Sequence, residues 1–91
     1  MKLPFSRFVV EGKSMEPSFK EGERVLTFNF SSPKKGDVVV VKKKINLIKR
    51  VQTIENNSYF VVGDNQNRST DSREFGPVPK EEIVGKVLFK Y

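Results

Sequence analysis

The stretch Asp37-Val38-Val39-Val40-Val41-Lys42 places four consecutive valines between two charged residues. A short β-branched run of this kind is typical of a strand, and four apolar residues in a row predict little exposure on either face. Apolar or alternating segments on both sides of this run are also predicted strands: residues 7–11, 24–30, 47–54, 59–62 and 84–91. Because turn residues separate these segments and no long helical period appears, we predict an all-β fold, a small single-domain barrel or sandwich of about six short strands.

The composition limits the chemistry that the chain can perform. Its 91 residues fit one domain spanning residues 1–91. It contains no cysteine and no histidine, which excludes disulfides, zinc–thiolate sites and the Ser-His-Asp and Cys-His arrangements. An acid–base enzyme of this composition must use a carboxylate, a tyrosine or a desolvated lysine as its proton acceptor. We expect no cofactor and no metal.

The net charge of +6 favours anionic partners, either nucleic acid or an acidic lipid surface. The apolar runs are far shorter than the roughly 20 residues that cross a bilayer. We therefore expect no transmembrane segment in this chain, and a place in the cytoplasm or at the periphery of a membrane. Phe5 and Phe8, with the basic Lys2 and Arg7, are candidates for contact with an anionic membrane surface.

A corner is predicted where Glu11-Gly12-Lys13-Ser14-Met15-Glu16-Pro17-Ser18 follows a short apolar run. Gly12 can adopt a positive φ and let another segment approach closely, and Pro17 stops the strand from continuing. A serine held at such a corner is a candidate nucleophile, and Ser14 is that serine. The alternative is an ordinary Gly-Ser turn at the end of a strand.

The strand over residues 47–54 contains a candidate base. Alternation places Lys49 on one face with Leu47 and Val51, and Arg50 on the other, so that both faces mix apolar and cationic residues. A buried lysine can lose its proton whereas an arginine cannot, which favours Lys49 as the inward residue. Its neutral amine within reach of Ser14 would then take the serine proton. The alternative is a strand lysine whose amine reaches water.

The 17 residues from Gly63 to Pro79 show no periodicity and are rich in Asp, Asn, Ser and Arg. Loops this long in compact domains are usually functional or disordered. Asp71 and Arg73 are expected to pair and fix the shape of the loop, and Ser69 to orient a neighbouring amine by a hydrogen bond. A solvated polar loop is the competing interpretation.

In this order and spacing, these segments resemble the bacterial type I signal peptidases, the Ser/Lys endopeptidases of the peptidase S26 family. The resemblance covers nearly the whole chain from Phe8 onward. The motifs that carry it are Gly12-Lys13-Ser14-Met15-Glu16-Pro17-Ser18, Gly22-Glu23-Arg24-Val25-Leu26, Pro33-Lys34-Lys35-Gly36-Asp37-Val38-Val39, Ile48-Lys49-Arg50-Val51, Gly63-Asp64-Asn65 with Ser69, Asp71-Ser72-Arg73, Gly76-Pro77-Val78-Pro79 and Val84-Gly85-Lys86-Val87.

The resemblance implies that Ser14 is the nucleophile and Lys49 the general base. It also implies supporting positions, which are Ser69, Asp71, Arg73, Gly12 and Met15. Three departures accompany the likeness: we expect these 91 residues to contain neither the membrane anchors nor the inserted second domain usual in the family, and Gly12 stands where some relatives carry a hydroxyl that helps to bind the oxyanion. The Ser14 backbone N–H then has more of that stabilisation to supply.

The resemblance therefore implies a serine endopeptidase that cleaves leader or signal segments from precursor proteins, and we expect these to be bound in extended form. The resemblance implies small residues before the cleaved bond, and Val9 and Val10 are candidates to line their pockets. An alternative with the same chemistry is a soluble maturation protease of nickel-type superoxide dismutase. A different class is a non-catalytic basic β-barrel that binds nucleic acid through its lysines and Arg50, which we consider less favoured.

Overall fold

The computed structural model describes residues 3–30 and 32–91. Lys2, one of the residues expected at a membrane surface, lies outside them. The strands are β1 (Phe5–Val9), β2 (Arg24–Phe28), β3 (Val38–Lys42), β4 (Asn46–Glu55), β5 (Ser58–Val62), β6 (Val78–Pro79) and β7 (Ile83–Lys90). The helical pieces are one α-helix, α1 (Ser72–Phe75), and two 3₁₀ turns, Gln66–Arg68 and Lys80–Glu82. No helix in the described part of the chain is long and apolar enough to cross a membrane.

All seven strands belong to one antiparallel sheet in the order β1-β2-β7-β3-β4-β5-β6, which curls into a half-barrel. The predicted all-β class is confirmed. The prediction of about six strands omitted β6, a two-residue strand whose Val78 pairs with Tyr59. The first strand occupies residues 5–9 and not 7–11, because its pairing with β2 begins at Phe5 and the chain turns away after Val10.

The valine run is buried on both faces, as predicted. Alternate valines of β3 enter two separate apolar clusters. The first cluster holds Val38 and Val40 together with Val10, Met15, Val25, Ile48 and Val87. The second holds Val39 and Val41 together with Val51, Tyr59, Val61 and Val78. Since β3 lies in the middle of the sheet, it joins both halves of the core and anchors its neighbour β4.

One stretch of β4 is paired on one side only. β3 pairs with β4 from Asn46 to Arg50, whereas β5 pairs with β4 from Arg50 to Glu55. Among the described strands, none covers the other side of residues 46–49. The sheet therefore has an open edge where β5 ends, and Lys49 is the last residue of that edge.

Candidate active site

The turn that carries Ser14 depends on the conformation of Gly12. Its φ is +77°, in the region that glycine adopts without strain, and its N–H donates to Glu21 Oε2 at 3.1 Å. The expected close approach of another segment to Gly12 is wrong, since a Cβ built there would meet no heavy atom within 4 Å. Gly12 thus supplies a backbone conformation and not a contact.

The residues after β5 hold this turn in place through its backbone and through Met15. Asn65 donates from its N–H to Ser14 O at 2.8 Å and from Nδ2 to Lys13 O at 3.0 Å. The Asp64 N–H points at the sulfur of Met15, 3.4 Å away, and Met15 is 1% exposed. Three consecutive residues of the turn are therefore fixed to the start of the long loop.

Lys49 is buried, with 2% of its surface exposed. It lies opposite Val39 on β3, on the face of the sheet that also carries Val51. Its Nζ donates one hydrogen bond, to Ser69 Oγ at 3.0 Å, and it makes no ion pair within the described residues. Burial lowers the pKa of Lys49; Asp71 acts against that effect, while Arg73 adds to it.

The partner of Lys49 belongs to a chain of polar contacts. Ser69 Oγ donates to Asp71 Oδ2 at 2.7 Å, and the guanidinium of Arg73 binds both oxygens of that carboxylate at 2.9 Å. The Gly63 N–H also donates to Asp71 Oδ2, at 2.9 Å. Burial alone raises the pKa of Asp71, but the hydrogen bonds from Arg73, Ser69 and Gly63 outweigh it and hold the pKa well below its usual value.

Asp71 also begins α1, because it accepts the Arg73 N–H at 3.1 Å as the N-cap of that helix. Arg73 in turn donates to Gln66 O at 3.1 Å. The long polar segment is thus ordered around one carboxylate and is not a solvated loop. Its short elements were not predicted, because they are stabilised by these contacts and not by any period in the sequence.

Gly63 brings the Ser14 turn and the Lys49 contacts together. A Cβ at this position would overlap Ser69 Oγ and would lie 2.6 Å from Ser14 O. The carbonyl of the candidate nucleophile and the hydroxyl that binds the lysine amine therefore flank the same glycine. Within the described residues, Ser14 Oγ makes no hydrogen bond, and none joins it to Lys49 Nζ; Ser14 is half-buried.

A second polar group on the opposite face of β4 was missed by sequence reasoning. Arg50 donates from Nε and Nη2 to the two oxygens of Asp64, both at 2.8 Å, and from Nη1 to Gly36 O at 2.8 Å. Ser18 Oγ donates to Asp64 Oδ2 at 2.6 Å. The hydrogen bonds from Arg50 keep the pKa of Asp64 low. Together with the Ser18 contact, this ion pair connects the Ser14 turn to β4. Arg50 and Asp64 both occur in the quoted motifs, but their pairing was not predicted.

A cleft lies beside Ser14, lined by residues 9–11, 14–15 and 45–48. Its walls are the end of β1 and the start of β4, which is paired on one side only, and they include both valines, Val9 and Val10, that were expected to line substrate pockets. Phe5 and Phe8 differ from each other: Phe5 is exposed, whereas Phe8 packs against the first apolar cluster. Membrane contact stays a prediction, with Phe8 a poor contributor to it.

Comparison with known proteins identifies the family of this chain. A family model described as "Signal peptidase, peptidase S26" matches residues 1–54 and 51–91. Signal peptidase IB of Staphylococcus aureus, in strains including Mu50 and N315, is 37% identical over 76 residues, which cover 79% of this chain and 39% of that protein. The chloroplastic thylakoidal processing peptidase 1 of Arabidopsis thaliana is 56% identical over 32 residues, 35% of this chain and 9% of that protein.

The chain belongs to the signal peptidase family, peptidase S26. The resemblance predicted from its motifs is confirmed at the level of family and fold. The chain spans about two fifths of the length of signal peptidase IB.

Proposed function

We propose that this protein is a serine endopeptidase in which Ser14 is the nucleophile and Lys49 the general base, and that it cleaves leader or signal segments from precursor proteins. In this proposal residues 1–91 act as one peptidase domain. The observation that carries it is the environment of Lys49: a buried amine with one neutral hydrogen-bond partner, next to the turn that holds Ser14.

A general base must be able to exist without its proton at the working pH. Burial favours the neutral amine of Lys49, and the nearest carboxylate, Asp71, is already bound by Arg73 and Ser69. Ser69 orients the amine without adding a negative charge in direct contact. These features support the role of Lys49 as base and of Ser69, Asp71 and Arg73 as positioning residues.

The reaction follows from these roles. Ser14 Oγ attacks the scissile carbonyl carbon while Lys49 Nζ takes the hydroxyl proton. The resulting ammonium returns that proton to the leaving amine as the C–N bond breaks, which leaves an ester on Ser14. Water then attacks the ester, Lys49 accepts a proton from it, and the same proton restores Ser14 Oγ as the acid product leaves.

The oxyanion needs a preorganised donor near Ser14. The Ser14 N–H donates no hydrogen bond to any group in the described residues, and the carbonyls of Lys13 and Ser14 are fixed by Asn65. That N–H is available to the oxyanion, and Gly12 offers no side-chain donor beside it. We assign the Ser14 N–H the main part of this stabilisation.

The substrate binds as an added strand. Residues 46–48 form an open sheet edge along one wall of the cleft, and an extended peptide laid against it gains backbone hydrogen bonds. The apolar residues that line the cleft favour small side chains next to the cleaved bond. The scissile carbonyl then reaches Ser14 at the end of that edge.

Peptide cleavage by Ser14→Ala and Lys49→Ala tests this proposal. Each variant should lose at least about 10³-fold in kcat, since both members of such a pair act as a unit. The controls are Ser32→Ala and Lys35→Ala, which remove the same groups from exposed positions and should keep wild-type rates. Wild-type cleavage by either site variant would contradict the proposal.

A further inference from the structure

The cleft beside Ser14 has one ionisable side chain in its lining, Glu11. The remaining lining residues are apolar apart from Ser14 and Asn46. Glu11 is exposed, and its carboxylate makes no hydrogen bond or ion pair with residues 3–30 and 32–91. Among the described residues, the negative charge of Glu11 therefore has no counter-charge, and it lies on the rim of a cleft whose other lining residues are neutral.

Within the described residues, some carboxylates are engaged, whereas Glu16, Glu55, Glu74 and Glu81, like Glu11, make no ion pair; of these five, Glu11 alone lines the cleft. Asp37 and Asp64 pair with Lys86 and Arg50, and Glu23 lies 3.5 Å from Lys90. The chain carries 17 basic and 11 acidic residues, so a carboxylate on its surface has many cations available. Within the described part of the chain, Glu11 has no cationic partner, and it lies in the lining of the cleft beside Ser14, where an incoming substrate can supply the cation.

We infer that Glu11 selects substrates that carry a lysine or arginine side chain in the segment that crosses the cleft, on the acyl side of the cleaved bond. This inference rests on the proposed function for the direction of the substrate. Successive side chains of an extended segment point to opposite sides. One set faces the apolar lining, and the other reaches the rim where Glu11 lies.

The size of the substrate preference follows from the solvent exposure of the ion pair between Glu11 and the substrate cation. An ion pair at a solvent-exposed rim stabilises weakly, and replacing the cation by an anion adds repulsion. A lysine peptide should therefore be cleaved with a kcat/KM about threefold to tenfold higher than its glutamate counterpart. The ratio should shrink as salt is added, because the pair is screened.

The experiment uses one peptide with alanine before the cleaved bond and Lys, Gln or Glu placed in turn at the preceding positions. Wild type should prefer Lys at one position. Glu11→Gln should abolish that preference, and Glu11→Lys should reverse it. Glu55→Gln is the matched control, since Glu55 is exposed and lies at the far end of β4; it should keep the wild-type ratio.

Binding of the same peptides to Ser14→Ala protein, measured by fluorescence anisotropy, separates this inference from the proposed function. If no peptide is cleaved by wild type, the proposed function fails, and the binding ratio alone decides the role of Glu11. Lysine-dependent binding that Glu11→Gln removes supports it. Equal cleavage and equal binding of Lys and Glu peptides at every position, or a preference that survives in Glu11→Gln, overturns it.

Discussion

Lys49 and Arg50 are consecutive residues of β4, and their surroundings are opposite. Arg50 is held by both oxygens of Asp64 and by a backbone carbonyl. Lys49 lies on the other face, is 2% exposed and, within residues 3–30 and 32–91, hydrogen-bonds only to the hydroxyl of Ser69. One cation is paired with a carboxylate in direct contact, and the other is buried without one.

The different surroundings of Lys49 and Arg50 arise from which groups bind the nearby carboxylates. The long loop brings Asp71 close to Lys49, but Arg73 and Ser69 occupy both of its oxygens. An ion pair between Asp71 and Lys49 would favour the ammonium, which cannot act as a base. Among the described residues, Arg50 and Arg73 thus form ion pairs with Asp64 and Asp71, whereas the Lys49 amine has a neutral partner, which is the arrangement that the proposed base catalysis requires.

The largest expected loss of activity comes from replacing Lys49 by arginine, the residue type of its neighbour Arg50. Lys49→Arg places a permanent charge in the buried position. We expect kcat to fall by at least about 10³-fold and the free energy of unfolding to fall by about 3 kcal/mol or more, from the desolvation cost. Peptide cleavage and urea denaturation measure the two effects.

Arg50→Lys is the control for Lys49→Arg, since it keeps the charge but loses the bidentate hydrogen bonding to Asp64. Because Arg50 is about a third exposed, the loss of stability should stay near 1 kcal/mol. An active Lys49→Arg protein would show that the contrast between the two positions has no catalytic meaning.

A smaller loss of kcat is expected when Gly63, which lies between Ser14 and Ser69, is substituted. A methyl group at Gly63 overlaps Ser69 Oγ and crowds Ser14 O. Gly63→Ala should therefore misplace both groups and lower kcat by about tenfold to a hundredfold. Steady-state kinetics on a model peptide measure the change.

Gly85→Ala is the matched control for Gly63→Ala. A Cβ there overlaps Asn29 Oδ1 and lies 2.8 Å from Phe28 O, a similar clash away from the site. It should lower the melting temperature and leave kcat unchanged. If both variants lose kcat equally, the effect at Gly63 is one of general stability and the proposed positioning of Ser69 is wrong.

The all-β fold could be predicted from the sequence because its strands and turns are determined by residues close together in the chain. The valine run, the alternation that turns Lys49 inward and the turn residues between strands all act within a few positions of the chain. Only one part of the contrast between Lys49 and Arg50 was predicted from the sequence, namely the burial of Lys49. Alternation placed the two cations on opposite faces, and the lower cost of burying a lysine favoured Lys49 as the inward one. The Asp64 partner of Arg50, in contrast, lies 14 residues away and is placed by the end of β5.

Two other features also needed tertiary contacts. Gly12 was given a packing role that belongs to Gly63, because a glycine in a sequence does not reveal whether it serves a positive φ or a close approach. The elements within residues 63–79 depend on hydrogen bonds to Asp71 and on pairing with β5. The motif spacing located that segment but not its shape.

An NMR titration of the Lys49 side chain, assigned with Lys49→Met, tests the central claim most directly. Burial without a carboxylate in direct contact predicts a pKa below the ordinary lysine value. Because only the neutral amine accepts a proton, kcat/KM should rise with pH through that same pKa. A Lys49 pKa at or above the ordinary value, or cleavage that declines as the amine loses its proton, would contradict the account.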